Sequence, residues 1–368
     1  MVKAKRKLVV VGQTPPPYHG QAVAIQAMID ALQVELEVIH VPMQFSDTVS
    51  ENGKLSLKKV WHLWAVIFKT IWQLGRNPGA VLYYPPAPAS WVPLIRDLVI
   101  LSCVRPFCGK VVFQYHAHGI GGFIADRKWL RWPAWSMYNA NLALVMGQSS
   151  IADTKKLRPK RIAVVPYGID VPVQTTRRVE GNGRKLRILY VGMHTESKGI
   201  FDLLATANLL RDKNVEFRTA GTFKYAEAVP RFEAMLEDLE LEGIVTPLGQ
   251  QVDDQLWEEY RQADIFFFPT KYDSESFGCV VVEAMAHALP VVASDWHGPK
   301  DIVTDRVSGK LCQPGDPKSF AAALSELIEN EELRKEYGAA GFERYQRHYT
   351  RTAFAESVSK EMRLQVER

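Results

Sequence analysis

Two glutamates eight positions apart, Glu275 and Glu283, flank a Phe-Gly pair in the stretch SESFGCVVVEAMAHALPVV. The stretch follows the apolar run ADIFFFPT and is predicted to form a polar loop and then a helix that begins near Phe277, Gly278 and Cys279. Backbone N–H groups and the dipole at the start of a helix attract anions, and a glycine there lets a phosphate approach closely. The spacing predicts a site for a phosphate-bearing ligand, with one carboxylate in the loop and one on the helix.

Glu283 needs a partner of its own if its helix is buried. On a helical wheel it shares a strip with Cys279 and His287, beside a wider apolar face that includes Val282 and Met285. A buried carboxylate is costly unless it is hydrogen-bonded, and the two vicinal hydroxyls of a ribose would supply such bonds. The alternative places Glu283 on the solvent side of a helix with one buried face.

Three further residues are predicted to bind the same ligand. Lys198, in the sequence SKG, opens the helix that follows the first strand of the second half of the chain. A compact cation beside a helix N-terminus suits a diphosphate, although an ordinary surface lysine is the alternative. Gly20 follows the constrained turn TPPPYH, and Gly221 ends the predicted strand VEFRTAG.

Two histidines, His116 and His118, lie where the predicted strand KVVFQYH ends and the sequence GIGG begins. A histidine at the carboxyl end of a strand, before glycines, suits a hydrogen bond to a substrate or the stabilisation of charge. The His-x-His pair lacks a third ligand at a suitable spacing nearby, so a metal site is disfavoured. The alternative is a pair of capped polar side chains without a catalytic role.

These residues are expected at the carboxyl ends of buried strands. Short apolar runs rich in β-formers, separated by helical patterns, indicate parallel strands that are covered on both faces. The first half of the chain has five such runs, at residues 7–13, 79–85, 110–116, 140–147 and 161–168. The second half has six, at residues 186–193, 215–221, 243–249, 263–270, 289–295 and 309–315. The pattern predicts an α/β protein with two Rossmann-like, doubly wound domains whose carboxyl ends face a central cleft.

Breaks in this pattern give the expected domain limits. The first domain is predicted for residues 1–173 and the second for residues 186–345, with a polar, glycine-containing linker at 174–185 between them. Helical patterns continue from about Pro317, and a last helix over residues 346–368 is expected to return to the first domain.

Several classes of protein are disfavoured by what the sequence lacks. Neither GQTPPPYHG nor GMHTESKG, the loops after the first strand of each half, fits the G-x-G-x-x-G dinucleotide fingerprint, and no P-loop pattern occurs. No helix-turn-helix, zinc-finger or RNP-like pattern points to nucleic acid. The four cysteines lack C-x-x-C spacing, no signal-peptide pattern precedes them, and no apolar run reaches the length of a spanning helix. A water-soluble cytoplasmic protein is expected.

Charge is shared unevenly along the chain. Residues 1–170 hold 20 Lys and Arg against 9 Asp and Glu, whereas the remaining residues hold 25 against 32. The basic part contains seven of the nine tryptophans, and its segment 54–76 sorts on a helical wheel into a basic side and an apolar side. A basic amphipathic helix with tryptophan is typical of contact with an anionic membrane surface, and the alternative is a helix packed on a sheet with a solvated basic face. The residues predicted to touch the membrane are Lys58, Lys59, Trp61, Trp64 and Phe68.

A series of motifs runs through residues 186–303: VG-x-x-x-x-x-KG, PLG, ADIFFFPT, ESFGCVVVEAMAHALPVVASD and HGPKDIV. The first domain adds P-x-x-x-x-G near its start, HAHG and VVPYGID. In this order the motifs resemble those of the GT-B glycosyltransferases, and among them the large retaining family often called family 4 or glycosyl transferase group 1. The E-x7-E pair formed by Glu275 and Glu283 is that family's best-known signature, and the resemblance is looser in the first domain.

The resemblance implies a nucleotide-sugar donor, linked to UDP or GDP, that is bound mainly by the second domain. Glu283 would hold the ribose hydroxyls, and Lys198 with the amides at the start of the following helix would hold the diphosphate. Glu275 would contact the transferred sugar, and His118 or His116 would approach that sugar from the first domain. Such enzymes are described as retaining by a front-face route, in which the leaving phosphate helps to deprotonate the acceptor, so neither a metal nor a cofactor is expected.

Three positions depart from the family's pattern. Met193 stands where the family often has an arginine, and Tyr167 stands where it often has an asparagine. The glycine pair of the first domain is reduced to His19-Gly20. Because the arginine is missing, the diphosphate has one cation fewer than is usual in the family.

The function that the resemblance implies is retaining transfer of a sugar to a lipid-linked or membrane-associated saccharide acceptor, in the assembly of a bacterial surface polysaccharide or lipopolysaccharide. Together with the basic helix, this favours a peripheral position on the cytoplasmic face of the inner membrane. Two alternatives stay open. One is a non-catalytic nucleotide-sugar-binding protein of an assembly complex, and the other is a different GT-B chemistry, such as a nucleotide-sugar epimerase or a phosphorylase.

Overall fold

The computed structural model of the chain describes residues 6–16, 20–44, 57–172 and 183–367. The chain divides into two compact units. The first unit takes Met1–Gly168 and Arg351–Arg368, and the second takes Ile169–Thr350. Most of the predicted linker at 174–185 lies outside the described residues.

Parallel strands form a six-stranded sheet in the first unit, in the spatial order β2-β1-β3-β4-β5-β6. The strands are β1 (Lys7–Gly12), β2 (Glu37–Pro42), β3 (Val81–Tyr84), β4 (Lys110–Tyr115), β5 (Leu142–Val145) and β6 (Ile162–Val164). Every residue of β3 and of β5 is buried. Helices cover both faces of a doubly wound sheet, which is why its inner strands are continuous apolar runs rather than alternating ones.

Helices of the first unit pack on the two faces of this sheet. They are α1 (Gly20–Leu32), α2 (Leu57–Arg76), α3 (Trp91–Val104), α4 (Ile120–Ala125), α5 (Lys128–Tyr138) and α6 (Ile151–Lys155). Val66 of α2, Leu94 of α3 and Leu130 of α5 belong to one apolar core with Val11 and Leu82 of the sheet. The buried side of α1 belongs to the core on the opposite face.

The strand β2 was not among the predicted runs, so the first unit has six strands where five were predicted. This strand has the sequence EVIHVP and lies at an edge of the sheet, paired only with β1. Of its six residues only Val41 is buried. An edge strand meets solvent along one side, so its sequence need not be continuously apolar.

Parallel strands also form the six-stranded sheet of the second unit, in the order β12-β11-β10-β7-β8-β9. The strands are β7 (Leu186–Val191), β8 (Val215–Ala220), β9 (Val245–Gly249), β10 (Ile265–Phe268), β11 (Val291–Ser294) and β12 (Gly309–Cys312). All six coincide with predicted runs to within a few residues at each end. The turn from β7, at the middle of the sheet, marks the point where the strand order reverses, which is where ligands bind in open α/β sheets.

Helices follow the strands of the second unit in the alternating order of a doubly wound fold. They are α7 (Ile200–Leu209), α8 (Ala228–Asp238), α9 (Asp253–Gln262), α10 (Cys279–Ala286), α11 (His297–Ile302), α12 (Pro317–Glu329) and α13 (Glu331–His348). The last helix, α14 (Arg351–Glu367), belongs to the first unit, where Phe354 and Val358 complete the core beneath α1.

The predicted fold class is confirmed, because each unit is a parallel sheet wound on both sides by helices. Among the described residues, none of the helices combines the length and apolar character that crossing a bilayer requires.

Candidate functional site

The loop after β7 places Lys198 at the carboxyl edge of the second unit's sheet. The hydroxyl of Thr195 accepts a hydrogen bond from the backbone N–H of Lys198 at 3.2 Å, which shapes a 3-10 turn ahead of α7. Gly199 follows with a φ of 82°, and a Cβ at this position would lie 2.1 Å from the carbonyl oxygen of Pro269. Only glycine fits there, so the Lys-Gly turn lies directly against the end of β10.

Glu275 lies in the loop that follows β10 and is almost fully buried, with an exposure of 8%. Its backbone N–H donates to the carbonyl of Tyr272 at 3.0 Å, and its own carbonyl accepts from the N–H of Gly298 at 3.2 Å. The hydroxyl of Thr270 donates to its carboxylate Oε2 at 3.4 Å. The backbone of this loop therefore holds the carboxylate in one place, as expected for a residue that must meet a ligand in a fixed geometry.

The two residues form a direct ion pair, in which Lys198 Nζ donates to Glu275 Oε2. Their side chains are only 15% and 10% exposed. The same ammonium lies 5.6 Å from the ring centroid of Phe268 and 5.0 Å from that of Tyr272. Charges with so little water around them interact more strongly than surface charges do. The structure thus brings two predicted site residues, 77 positions apart in sequence, into one charged centre.

The start of α10 lies within electrostatic range of this ion pair. Gly278 precedes the helix with a φ of 96°, and Phe277 before it is buried. Burial raises the pKa of the Cys279 thiol, on which the charges of both Glu275 and Lys198 also act. The Cys279 thiol is therefore neutral near pH 7. The positive end of an eight-residue helix adds to the potential that an anion would meet there.

Glu283 is half-buried on α10 and is held from the side of α9. The hydroxyl of Tyr260 donates to Glu283 Oε2 at 2.8 Å. The rings of Trp257, Tyr260 and His287 stack, with centroids 5.1 to 6.0 Å apart, and fix the tyrosine in place. Burial raises the pKa of Glu283, and the hydrogen bond from Tyr260 partly opposes that rise. One carboxylate oxygen of Glu283 is thus anchored by Tyr260.

Gly221 lies at the end of β8, where the chain passes very close to the loop after β7. A Cβ at Gly221 would lie 1.9 Å from the carbonyl oxygen of Gly192. Beside it, His194 is 1% exposed, and its ring lies against Phe223 and Phe232. Burial lowers the pKa of His194 to about 4, so the imidazole is neutral near pH 7. This contact joins the loop of Lys198 to the next loop along the sheet edge.

His116 and His118 lie in the first unit, directly after β4. Nδ1 of His116 is hydrogen-bonded to the hydroxyl of Tyr167, and the two rings stack with centroids 5.7 Å apart. Tyr167, which departs from the family's pattern, therefore fixes the orientation of His116. The Asp153 carboxylate accepts hydrogen bonds from the backbone N–H groups of the glycine turn after His118, at 2.6 to 3.1 Å. The catalytic role of either histidine stays a prediction.

Gly20 is the first residue of α1, and the space around a Cβ at this position is open. Residues 17–19, which include His19 of the predicted glycine-like pair, lie outside the described residues. The part of Gly20 in binding a ligand stays a prediction.

The residues predicted for membrane contact lie on α2. Residues 54–56, the first three of the predicted amphipathic segment 54–76, lie outside the described residues. Trp61, Trp64 and Phe68 are exposed by 80%, 53% and 67%, Lys58 is exposed, and Lys59 is half-buried. The predicted two-sided wheel is only partly right. Val66, Ile67 and Leu74 are buried on the sheet, so the apolar side is split into a packed edge and an exposed aromatic edge.

Four site residues were not predicted from the sequence. Tyr260 and Trp257 are on α9, a helix whose other residues are polar except for Leu256, and two aromatic residues three positions apart there are a usable signal. Thr270 and His194 give no such signal, because Thr270 is one of several polar residues in its own loop and His194 lies against Phe223 and Phe232 of the next loop and helix. Across the described residues, no group of three His, Cys, Asp or Glu side chains is placed to hold a metal ion.

Residues 173–344 match the sequence profile of the family described as glycosyl transferases group 1. A putative colanic acid biosynthesis glycosyltransferase of Salmonella typhimurium, WcaL, is 29% identical over 176 residues, which is 46% of this chain and 42% of that protein. The chain spans less than half the length of this and similar curated relatives.

Solved structures match over nearly the whole chain at low identity. The apo form of the lipopolysaccharide outer core galactosyltransferase WaaB superposes with a TM-score of 0.72 at 16% identity, covering 98% of this chain and 100% of that one. HepE of Anabaena in complex with UDP-glucose gives a TM-score of 0.71 at 16% identity, covering 97% and 99%. At these identities the likeness establishes the fold. The chain therefore has the two-domain GT-B fold, and its residues 173–344 match the profile of the glycosyl transferases group 1 family.

Proposed function

We propose that this protein transfers a sugar from a UDP- or GDP-linked donor to a saccharide acceptor, in the assembly of a bacterial surface polysaccharide or lipopolysaccharide. The observation that carries the proposal is the buried Lys198–Glu275 ion pair beside the start of α10, with Glu283 about one helical turn further along. The names of WcaL and WaaB support the class of product, and the UDP-glucose bound by HepE supports the class of donor.

Each group has a defined task in this proposal. Lys198 Nζ and the amides at the start of α10 meet the diphosphate, and Glu283 accepts hydrogen bonds from the ribose hydroxyls. When the diphosphate reaches Lys198, the ammonium is shared between phosphate and Glu275, whose carboxylate then faces the sugar. As the donor bond breaks, negative charge grows on the diphosphate. Preorganised positive groups stabilise that charge without a metal or a cofactor.

The reaction follows the retaining, front-face route that the resemblance implies. The bond between the anomeric carbon and the diphosphate oxygen breaks with both electrons leaving on the oxygen. The acceptor hydroxyl oxygen bonds to the anomeric carbon on the same face of the sugar, and its proton passes to the departing phosphate oxygen. The products are a nucleoside diphosphate and a glycoside with the anomeric configuration of the donor.

A panel of UDP- and GDP-sugars tests the proposal. The purified protein is incubated with each donor, with and without a bacterial extract of lipid-linked saccharides, and release of nucleoside diphosphate is measured. We expect release with at least one donor, increased by the extract, and a product of retained configuration by NMR. Thermal stabilisation by a donor without any turnover would instead favour a binding protein. Conversion of the donor into an isomeric nucleotide sugar would favour an epimerase.

Tyr260→Phe is expected to weaken donor binding about fivefold to tenfold, because one hydrogen bond of roughly 1 kcal/mol that orients Glu283 is lost. The pKa of Glu283, already raised by burial, would rise further without the hydroxyl. The loss of binding at acid pH should therefore begin at a higher pH in the variant. The measurement is KM for the donor, and kcat, as functions of pH.

The control for Tyr260→Phe is Tyr345→Phe, which removes a hydroxyl that donates to the carbonyl of Ile169 at 3.0 Å and makes no hydrogen bond to Glu283. It should leave the pH dependence of KM unchanged. An identical pH profile in Tyr260→Phe and the wild type would show that Tyr260 does not act on Glu283.

A further inference from the structure

The outer edge of α2 is apolar and is not covered by the first unit. Trp61, Trp64, Phe68 and Trp72 lie along one line of the helix and are exposed by 53% to 80%. On the helical wheel this line is next to the exposed cations Lys58, Lys69 and Arg76, while the packed residues of α2 lie on the other side. Soluble proteins rarely expose four large aromatic side chains in one row, and where such apolar patches occur they mark interaction sites.

Two neighbouring helices expose tryptophans in the same way. Trp91, in the first turn of α3, is 43% exposed, and Trp129 and Trp132, in the first turns of α5, are 70% and 80% exposed. Trp91 stacks on Trp129 with ring centroids 5.9 Å apart. The guanidinium of Arg127 lies 5.2 Å from the ring centroid of Trp91. The exposed tryptophans of α3 and α5 therefore meet in one surface, which also carries the guanidinium of Arg127.

All of these residues lie on one layer of the unit. The helices α2, α3 and α5 pack on the same apolar core, on one face of the sheet. They follow the parallel strands β2, β3 and β4 and so run back in the same direction, which puts their first turns at the carboxyl edge of the sheet. His116 and His118 follow β4 at this same edge. The exposed large apolar residues of the first two turns of these helices, five of them tryptophan, form what we call the aromatic face: Leu57, Trp61, Trp64, Trp91, Ile95, Trp129 and Trp132.

Charge around the aromatic face indicates an anionic partner. Residues 57–138 contain ten Lys and Arg but only two Asp and Glu. One of the two, Asp97, is fully buried and is bound by Arg96 and by the hydroxyl of Tyr84. Only Asp126 is left to oppose the cations at the surface. Tryptophan side chains with basic neighbours suit the interface of an anionic bilayer, where the indole lies at the level of the headgroups.

We propose that the aromatic face docks on an anionic phospholipid bilayer, with Trp61, Trp64, Trp129 and Trp132 in the interfacial region and Lys58, Lys69 and Lys128 against the headgroups. The docking itself is independent of turnover. Its consequence rests on the proposed function, since it would hold the carboxyl edge of the first unit, with His118, against the surface from which a lipid-linked acceptor is drawn.

Vesicle co-sedimentation tests the proposal, with vesicles of phosphatidylcholine alone or mixed with phosphatidylglycerol. We expect binding to the anionic vesicles, at least about tenfold weaker binding to neutral ones, and release by salt. Two paired variants, Trp61→Ser with Trp64→Ser and Trp129→Ser with Trp132→Ser, should each weaken binding about tenfold or more. The matched control, Leu209→Ser with Val307→Ser, changes two exposed apolar residues of the second unit and should bind as the wild type does.

Three outcomes would overturn the docking proposal. The first is equal binding to neutral and anionic vesicles, and the second is wild-type binding by both tryptophan double variants. The third is a wild-type dimer in sedimentation velocity that becomes monomeric in either double variant, which would make the face a contact between two copies. Donor hydrolysis without vesicles, measured on the same proteins, separates the two proposals. Wild-type protein that binds vesicles but never releases nucleoside diphosphate would refute the proposed transfer and leave the docking intact.

Discussion

Glu275→Gln is expected to lower the rate of sugar transfer roughly 10²- to 10³-fold while the protein stays folded. The carboxylate is buried, bound by Lys198 and by the hydroxyl of Thr270, and its backbone is fixed on both sides. Glutamine keeps the size of the side chain but removes the charge that faces the sugar. The effect should therefore appear in kcat, with a smaller change in KM for the donor.

The matched control is Glu329→Gln, which neutralises the glutamate of an exposed Lys–Glu pair with Lys213 in the same unit. Its activity should equal that of the wild type. A Glu275→Gln protein that transfers sugar within about threefold of the wild-type rate would remove Glu275 from the catalytic centre, since one lost catalytic interaction costs far more.

Lys198→Met is expected to have the second large effect, on both activity and stability. Without the ammonium, the diphosphate loses its one predicted side-chain cation, and kcat should fall by roughly 10²-fold or more. The variant also leaves the Glu275 carboxylate without its ion-pair partner in a site where it is 10% exposed. Breaking one side of a buried ion pair costs roughly 3–5 kcal/mol. Thermal melting should therefore shift downward together with the loss of activity.

Two further proteins separate these effects. Lys213→Met breaks a pair whose side chains are 41% and 61% exposed, and such surface pairs contribute at most about 1 kcal/mol. The double variant Lys198→Met with Glu275→Gln removes the stranded charge, so it should melt at a higher temperature than Lys198→Met alone and remain inactive. A double variant no more stable than Lys198→Met would show that the ion pair does not hold the site together.

The fold was predictable because the pattern of apolar residues along the sequence distinguishes buried strands from helices. Fully buried parallel strands such as VLYY and IFFF are continuous apolar runs, and eleven of the twelve strands could be located from them. The missing strand, Glu37–Pro42, lies at a sheet edge and has only one buried residue. The burial of an edge strand depends on what lies beside it in space, which a local window of sequence does not contain.

The candidate site was predictable only as far as single residues carry a signal. Glu275, Glu283 and Lys198 stand out by type and position, but the ion pair between two of them depends on how Gly199 lies against Pro269. The hydrogen bond from Tyr260 to Glu283 joins two helices, and nothing in either helix predicts the other. Partners supplied by distant loops are therefore visible only in the structure.

The amphipathic helix α2 shows a different limit. A helical wheel separates polar from apolar side chains, but it does not say how much of the apolar side the rest of the fold will cover. The sheet of the first unit covers Val66, Ile67 and Leu74 and leaves Trp61 and Phe68 in solvent. One edge of the helix packs on the sheet, as one interpretation of the sequence predicted, and another edge stays exposed, where membrane contact remains a proposal.

In the proposed donor complex the diphosphate would have one side-chain cation fewer than is usual in the family, because Met193 stands where the arginine would be. Met193 is 46% exposed, and its carbonyl accepts a hydrogen bond from the hydroxyl of Tyr190 at 3.0 Å. Its side chain brings no charge to the site. We therefore assign the diphosphate to Lys198 and to the start of α10, and this is why the predicted effect of Lys198→Met is so large.

The central claim is that Glu283 recognises the ribose of a nucleotide donor, and one binding measurement tests it directly. Calorimetric titration of UDP and GDP, and of their 2′,3′-dideoxy counterparts, is compared in the wild type and in Glu283→Gln. For the nucleotide that binds, we expect the wild type to bind the ribose form about tenfold or more tightly than the dideoxy form, since the dideoxy form lacks the hydroxyls that make charge-assisted hydrogen bonds to Glu283. We expect Glu283→Gln to lose most of this preference. Equal affinity of the wild type for the ribose and dideoxy forms, or a preference that survives in Glu283→Gln, would contradict the claim.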